Sequence, residues 1–92
     1  MVECRVKIVN RLGLHARAAA KLVRAATAFS ATVRLMRLDR PTAADAKSIL
    51  SVLMLAASRG TELLITAEGP DEATALDALC NLIDGGFGEG EE

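Results

Sequence analysis

The stretch Val2-Glu3-Cys4-Arg5-Val6-Lys7-Ile8, running on into Asn10-Arg11-Leu12-Gly13-Leu14-His15-Ala16, decides the fold because its hydrophobic period changes partway along. Val2, Cys4, Val6 and Ile8 share one side, while Glu3, Arg5 and Lys7 share the other. That alternation is a half-buried strand on an antiparallel sheet with one solvated face. Asn10 to Gly13 breaks the pattern, as a loop does. From Ala16 to about Thr27 the spacing becomes helical, with Ala19, Leu22, Val23 and Ala26 in one stripe and Arg17, Lys21 and Arg24 outside it. The many alanines favour helix and let it approach a sheet closely.

Working outward, a second strand fits Ala31 to Met36, with Val33 and Leu35 on one face and Thr32, Arg34 and Met36 on the other. Asp39-Arg40-Pro41 reads as a turn, and a short third strand can follow it. Ser48 to Ala57 is a second helix ending before Gly60, and Glu62 to Ala67 is a fourth strand with Leu63, Ile65 and Ala67 inward. Gly69-Pro70-Asp71 opens the last helix. Its expected buried stripe is Ala73, Leu76, Leu79, Cys80 and Ile83, and Gly85-Gly86 stops it. The order βαββαβα predicts an α+β fold, a four-stranded antiparallel sheet with three helices on one face. One domain is expected over residues 1–88, followed by an acidic, flexible tail at 89–92.

Composition narrows the function classes. The chain has 92 residues and a net charge of -1, which gives no reason to expect nucleic acid or an acidic membrane as partner. Phe29 and Phe87 are its only aromatic residues, too few for a base-stacking platform. No apolar run approaches a membrane span, and the N-terminus lacks the apolar core of a signal peptide, so a cytoplasmic location is expected. A disulfide between Cys4 and Cys80 is possible geometrically, but a reducing cytosol favours buried free thiols. One histidine and two scattered cysteines do not make a zinc site, so neither metal nor cofactor is expected.

His15, the only histidine, lies one residue before the alanine-rich helix. The first turn of a helix leaves amide N–H groups without partners and carries partial positive charge, which suits a dianionic phosphoryl group. The amides of Ala16, Arg17 and Ala18 are the expected phosphate cradle. Arg17 adds a fixed charge there, with Lys21 and Arg24 farther along. Neutral imidazole is nucleophilic near pH 7. Taken alone, a histidine at a helix start is more often an ordinary loop residue, and three basic side chains are more often a solvated face.

Several segments in register shift that balance. Gly13-Leu14-His15-Ala16-Arg17-Ala18-Ala19, then Asp45-Ala46-Lys47-Ser48-Ile49-Leu50, Ala67-Glu68-Gly69, Leu82-Ile83 and Gly86-Phe87-Gly88 together resemble HPr. HPr is the histidine phosphocarrier of the bacterial phosphoenolpyruvate-dependent phosphotransferase system. The resemblance spans almost the whole chain and implies an open-faced sandwich, in agreement with the periodicity. It implies that His15 takes a phosphoryl group from enzyme I on Nδ1 and passes it to an enzyme IIA domain, with Arg17 organising charge around it. Such a protein is a stoichiometric carrier rather than a turnover enzyme, and a monomer is the default for one that presents a single face to several partners.

The resemblance also implies that Ser48 is the serine modified by HPr kinase/phosphorylase. Its other reading is a helix N-cap, and the two are compatible. Ile49, Leu50, Leu53 and Met54, with Arg24, are the expected docking residues. Among them Ile49 and Leu53, together with Ala56, are also expected to serve the core, whereas Leu50, Met54 and Ala57 form a second apolar stripe. Ala18 stands where the family usually has proline, which removes a rigid first turn and adds an N–H. Non-proline residues at this position occur in the nitrogen-related branch, so sugar uptake and nitrogen- or carbon-linked regulation both stay open. Ser51 stands where glycine is common. A different class of function is a docking module that keeps the fold, acts through the second helix and transfers nothing. A small hydrolase with His15 as base lacks a recognisable triad partner.

Overall fold

The computed structural model describes residues 1–89; the part of the expected acidic tail at 90–92 lies outside the described residues. β1 (Val2–Lys7), α1 (Ala16–Thr27), β2 (Thr32–Arg37), β3 (Ala43–Asp45), α2 (Ile49–Met54), β4 (Glu62–Glu68) and α3 (Glu72–Asp84) follow one another, and a 3-10 turn at Gly86–Gly88 is the last element among the described residues. The strands form one antiparallel sheet in the order β1-β4-β2-β3, so β4 is central between β1 and β2.

Register follows from the alternation of side chains. Cys4 pairs with Ile65 on one side of β4, and Leu35 pairs with Ile65 on the other. Val33, Leu35, Leu63, Ile65 and Ala67 are thereby turned into one buried layer, while Glu3, Arg5, Arg34 and Met36 face out. Slipping any strand by one residue would exchange these faces, which is why the register is well specified. The helices cover the buried face. Ala18, Ala19, Leu22 and Ala26 of α1 are buried with Ala75, Leu76, Leu79 and Ile83 of α3. Each large aliphatic side chain removed from water there contributes about 1.5–3 kcal/mol.

Three details depart from expectation. Ala73 is exposed and Ala75 takes its place in the buried stripe of α3, because the helix begins only at Glu72 and its face is set by the contact with β1 and β4. α2 stops at Met54 rather than Ala57, and the chain turns at Ala56 with φ 54. The turn is held from outside the helix. Arg37, at the end of β2, donates from Nη1 to the carbonyls of Leu55 and Ala56.

The third departure concerns the cysteines. Cys4 and Cys80 form a disulfide that joins β1 to α3, and neither is a free thiol. The strand period turns Cys4 inward, and the stripe of α3 turns Cys80 toward the same layer. Their separation of 76 residues along the chain conceals this proximity.

Candidate functional site

His15 is the N-cap of α1. Its backbone is extended (φ -73, ψ 178), its carbonyl accepts from the amide of Ala19 at 2.8 Å, and its ring accepts from the amide of Arg17. Serine or aspartate normally fills this position with a side-chain oxygen. Here Nδ1 of the imidazole does so at 3.2 Å. The loop before it is fixed by backbone bonds: Gly13 N–H donates to Asn10 O, and Leu14 N–H donates to Ala57 O just beyond α2. Leu14 is buried, so it anchors the loop while His15 stays half-buried beside it.

The tautomer follows from these partners. A backbone amide only donates, so Nδ1 must carry the lone pair and Nε2 the proton. Nε2 faces Oε2 of Glu89 at 2.5 Å. The other oxygen of Glu89 accepts from Nδ2 of Asn10 at 3.1 Å, and the same Nδ2 donates to Gly13 O at 2.8 Å. Burial pushes the Glu89 carboxyl up, but the hydrogen bonds from His15 and Asn10 outweigh it and hold the group below the usual glutamate range.

Glu89 is therefore part of this site, contrary to its expected place in a flexible tail. Three features bring it there. Phe87 inserts fully into the core and takes a left-handed backbone (φ 59) to do so. Gly86 and Gly88 on either side also have positive φ, which glycine adopts without penalty. Lys21 Nζ then donates to Phe87 O at 2.7 Å and ties the turn to α1. From the sequence Lys21 is either a cation farther along the helix from His15 or part of a solvated face; its bond to Phe87 O is not legible there. The signal available was Phe87, a lone aromatic flanked by glycines.

His15, Ala16, Arg17, Lys21 and Glu89, with Leu12 and Gly88, line one open depression at the start of α1. Arg17 is exposed at its edge, Ala16 is the exposed first residue of α1, and Ala18 is completely buried. Arg24 is exposed on the last turn of the same helix. Ser48 lies at the N-cap of α2, where Oγ accepts from the Ser51 amide at 3.3 Å, and Ser51 Oγ accepts from the Asp45 amide. On α2, Ile49, Leu50, Leu53 and Met54 are all exposed, Leu50 by 66% and Met54 by 72%. Ile49, Leu53 and Ala56 do not serve the core as expected. Val52 does so from within α2, and the turn beyond Met54 buries Leu55 and also Ala57, which was expected on the second apolar stripe. Among the described residues no cluster of three His, Cys, Asp or Glu side chains could hold a metal ion.

An open depression with an unprotonated ring nitrogen, at a helix start and flanked by cations, is chemically suited to receive a small anionic group. The model of the PTS HPr component phosphorylation site family matches residues 2–85. The phosphocarrier protein HPr of Cupriavidus necator is 48% identical over 91 residues, covering 99% of this chain and 100% of its own. That of Pseudomonas aeruginosa is 47% identical over the same coverage. The crystal structure of HPr-C-His from Thermoanaerobacter tengcongensis superposes with a TM-score of 0.91 at 39% identity, covering 98% of this chain and 99% of that one. The chain belongs to the HPr family of phosphotransferase-system phosphocarriers, proteins that relay a phosphoryl group rather than turn over a substrate.

Proposed function

We propose that His15 is the residue that carries the phosphoryl group, on Nδ1. Phospho-enzyme I would be the donor and an enzyme IIA domain the acceptor, for sugar uptake or for nitrogen- or carbon-linked regulation. The observation that carries this reading is the Nδ1 lone pair at the mouth of an open depression, 3.2 Å from the first-turn amide of Arg17. In the transfer, that lone pair forms a bond to phosphorus while the bond from phosphorus to the donor nitrogen breaks, and the electron pair returns to the donor ring. The Arg17 amide then exchanges from Nδ1 to a phosphoryl oxygen, joined by the guanidinium of Arg17 and the amides of Ala16 and Ala18. The carrier only positions the group; its partner supplies much of the transition-state stabilisation.

The exposed apolar residues Ile49, Leu50, Leu53 and Met54 of α2, with Arg24 of α1, are the proposed docking face. Burying them against a partner releases water from a row of apolar side chains that the fold leaves uncovered. Ser48 is the proposed regulatory site for HPr kinase/phosphorylase. No described helix is long and apolar enough to cross a membrane, and a cytoplasmic, monomeric carrier is the reading that fits these partners. Incubation with phosphoenolpyruvate and enzyme I tests the function. One acid-labile, alkali-stable phosphate adduct by intact mass, absent from His15→Ala, is expected. No adduct, with an enzyme I active on another carrier, would favour the non-transferring docking module instead.

A further inference from the structure

The contact between Glu89 and His15 has no part in the transfer chemistry above, yet it fixes the ring that performs it. We propose that Glu89 is a positioning residue. Its carboxylate holds Nε2–H of His15 so that the Nδ1 lone pair faces the incoming phosphoryl group, and it pairs with the positive charge the ring acquires on phosphorylation. The inference rests on the phosphocarrier reading and deepens it.

Two structural facts carry it. First, the carboxylate is held at both oxygens, Oε2 by His15 and Oε1 by Asn10, a residue only 3% exposed. Asn10 also holds Gly13 O, so one buried amide side chain fixes both the loop before His15 and the acid behind it. Second, the Glu89 side chain is itself only 13% exposed, against 24% for His15, so bulk water does not compete freely for the pair. A buried carboxylate on the far ring nitrogen is the arrangement that fixes tautomer and orientation in other histidine sites.

The charge balance shows why this matters during transfer. Before reaction, the ring is neutral with its proton on Nε2. When Nδ1 bonds to phosphorus, both nitrogens are substituted and the ring becomes cationic, with the proton still on Nε2. Glu89 therefore interacts more strongly with the product-like ring than with the free one, which is the condition for accelerating a step. It also holds the ring while the Arg17 amide leaves Nδ1. Without it, only the 3.2 Å contact from the Arg17 amide favours the Nε2–H tautomer, and the Nδ1–H form, which is not nucleophilic at Nδ1, gains population.

The test has two readouts on protein labelled with 15N-histidine. Long-range 1H–15N spectra of the unphosphorylated protein should show His15 as the Nε2–H tautomer, shifting to a mixture in Glu89→Ala. Initial phosphoryl acceptance from phospho-enzyme I should fall by about 2- to 10-fold in Glu89→Ala, the scale of one net hydrogen bond. Glu89→Gln, which keeps an acceptor oxygen but not the charge, should recover the tautomer more than the rate. An unchanged tautomer in Glu89→Ala, or acceptance as fast as or faster than the parent, overturns the proposal; the faster result would mean that Glu89 obstructs the site. The tautomer measurement needs no phosphoryl donor, so it judges Glu89 even if His15 proves not to be the acceptor.

Discussion

Arg37 Nη1 lies 3.1 Å from the carbonyl oxygen of Leu55, so a residue at the end of β2 holds the end of α2. The same nitrogen reaches Ala56 O at 3.1 Å, and Nε and Nη2 both bond Asp39. The last turn of a helix leaves carbonyls without amide partners, and here a planar guanidinium supplies the missing donors. The exposed apolar face of α2 is consequently oriented from the sheet. Hydrogen bonds to Asp39 raise the proton affinity of Arg37 and lower that of Asp39, so the pair stays ionised.

Replacing Arg37 with leucine should leave those carbonyls unpaired and lower Tm by about 8 °C. Calorimetry gives the stability, and amide chemical-shift changes should concentrate on residues 49–57. Arg37→Lys, lacking the fork, should recover only part of the loss. A Tm unchanged in Arg37→Leu would mean that water caps α2 equally well.

Gly13 faces the same region from the other side. Its φ is +66, and a Cβ there would meet Ala57 O at 2.7 Å and Ser58 Cα at 2.8 Å, both backbone atoms that cannot swing away. Gly13→Ala should cost about 1–3 kcal/mol by combining left-handed strain with this clash. Because Leu14 N–H bonds Ala57 O, the variant should also move the His15 ring resonances. Denaturant unfolding with a parallel histidine spectrum checks both effects; a stable variant with an unmoved ring would contradict the coupling.

Ser48 has two separable roles. Loss of the N-cap in Ser48→Ala should destabilise the protein by about 1 kcal/mol. Ser48→Asp can still accept the Ser51 amide, so it should retain stability while slowing phosphoryl acceptance through charge at the docking face. Urea melts and enzyme I kinetics on the two variants separate these effects. If Ser48→Asp accepts phosphate at the parent rate, charge at this position does not regulate docking.

The Cys4–Cys80 bond closes a long loop, and the chain-entropy account gives it up to about 4.5 kcal/mol. Reductant should lower the Tm of the parent protein and leave that of Cys80→Ala unchanged. Thiol titration should find no reactive cysteine until reductant is added. Two titratable thiols in protein purified under air, with no response to reductant, would show that the bond does not form.

The architecture was readable because strict alternation in β1 and β4 leaves one register that buries Val6, Leu63 and Ile65 together. His15 was legible too, as the only histidine at the start of an alanine-rich helix. What escaped depended on distance in the chain. Glu89 reaches His15 only because Phe87 is pulled into the core, and Cys80 meets Cys4 only after α3 lies over β1. Ala56 departs for a different reason: the helical period continues in the sequence past Met54, where Arg37 ends the helix from another strand. Asp71 shows the same limit. It stands at the N-cap of α3 but bonds the amides of Ser30 and Ala31 at 2.9 Å, in the connection between α1 and β2 rather than in its own helix.

The most direct measurement is the identity of the phosphorylated atom. With 15N-histidine protein, phosphoenolpyruvate and enzyme I, coupling between 31P and 15N assigns the phosphoryl group to one nitrogen of one ring. The geometry at the start of α1 predicts Nδ1 of His15, with Nε2 still bearing its proton. Phosphate on Nε2, or an adduct that persists in His15→Ala, would contradict the account.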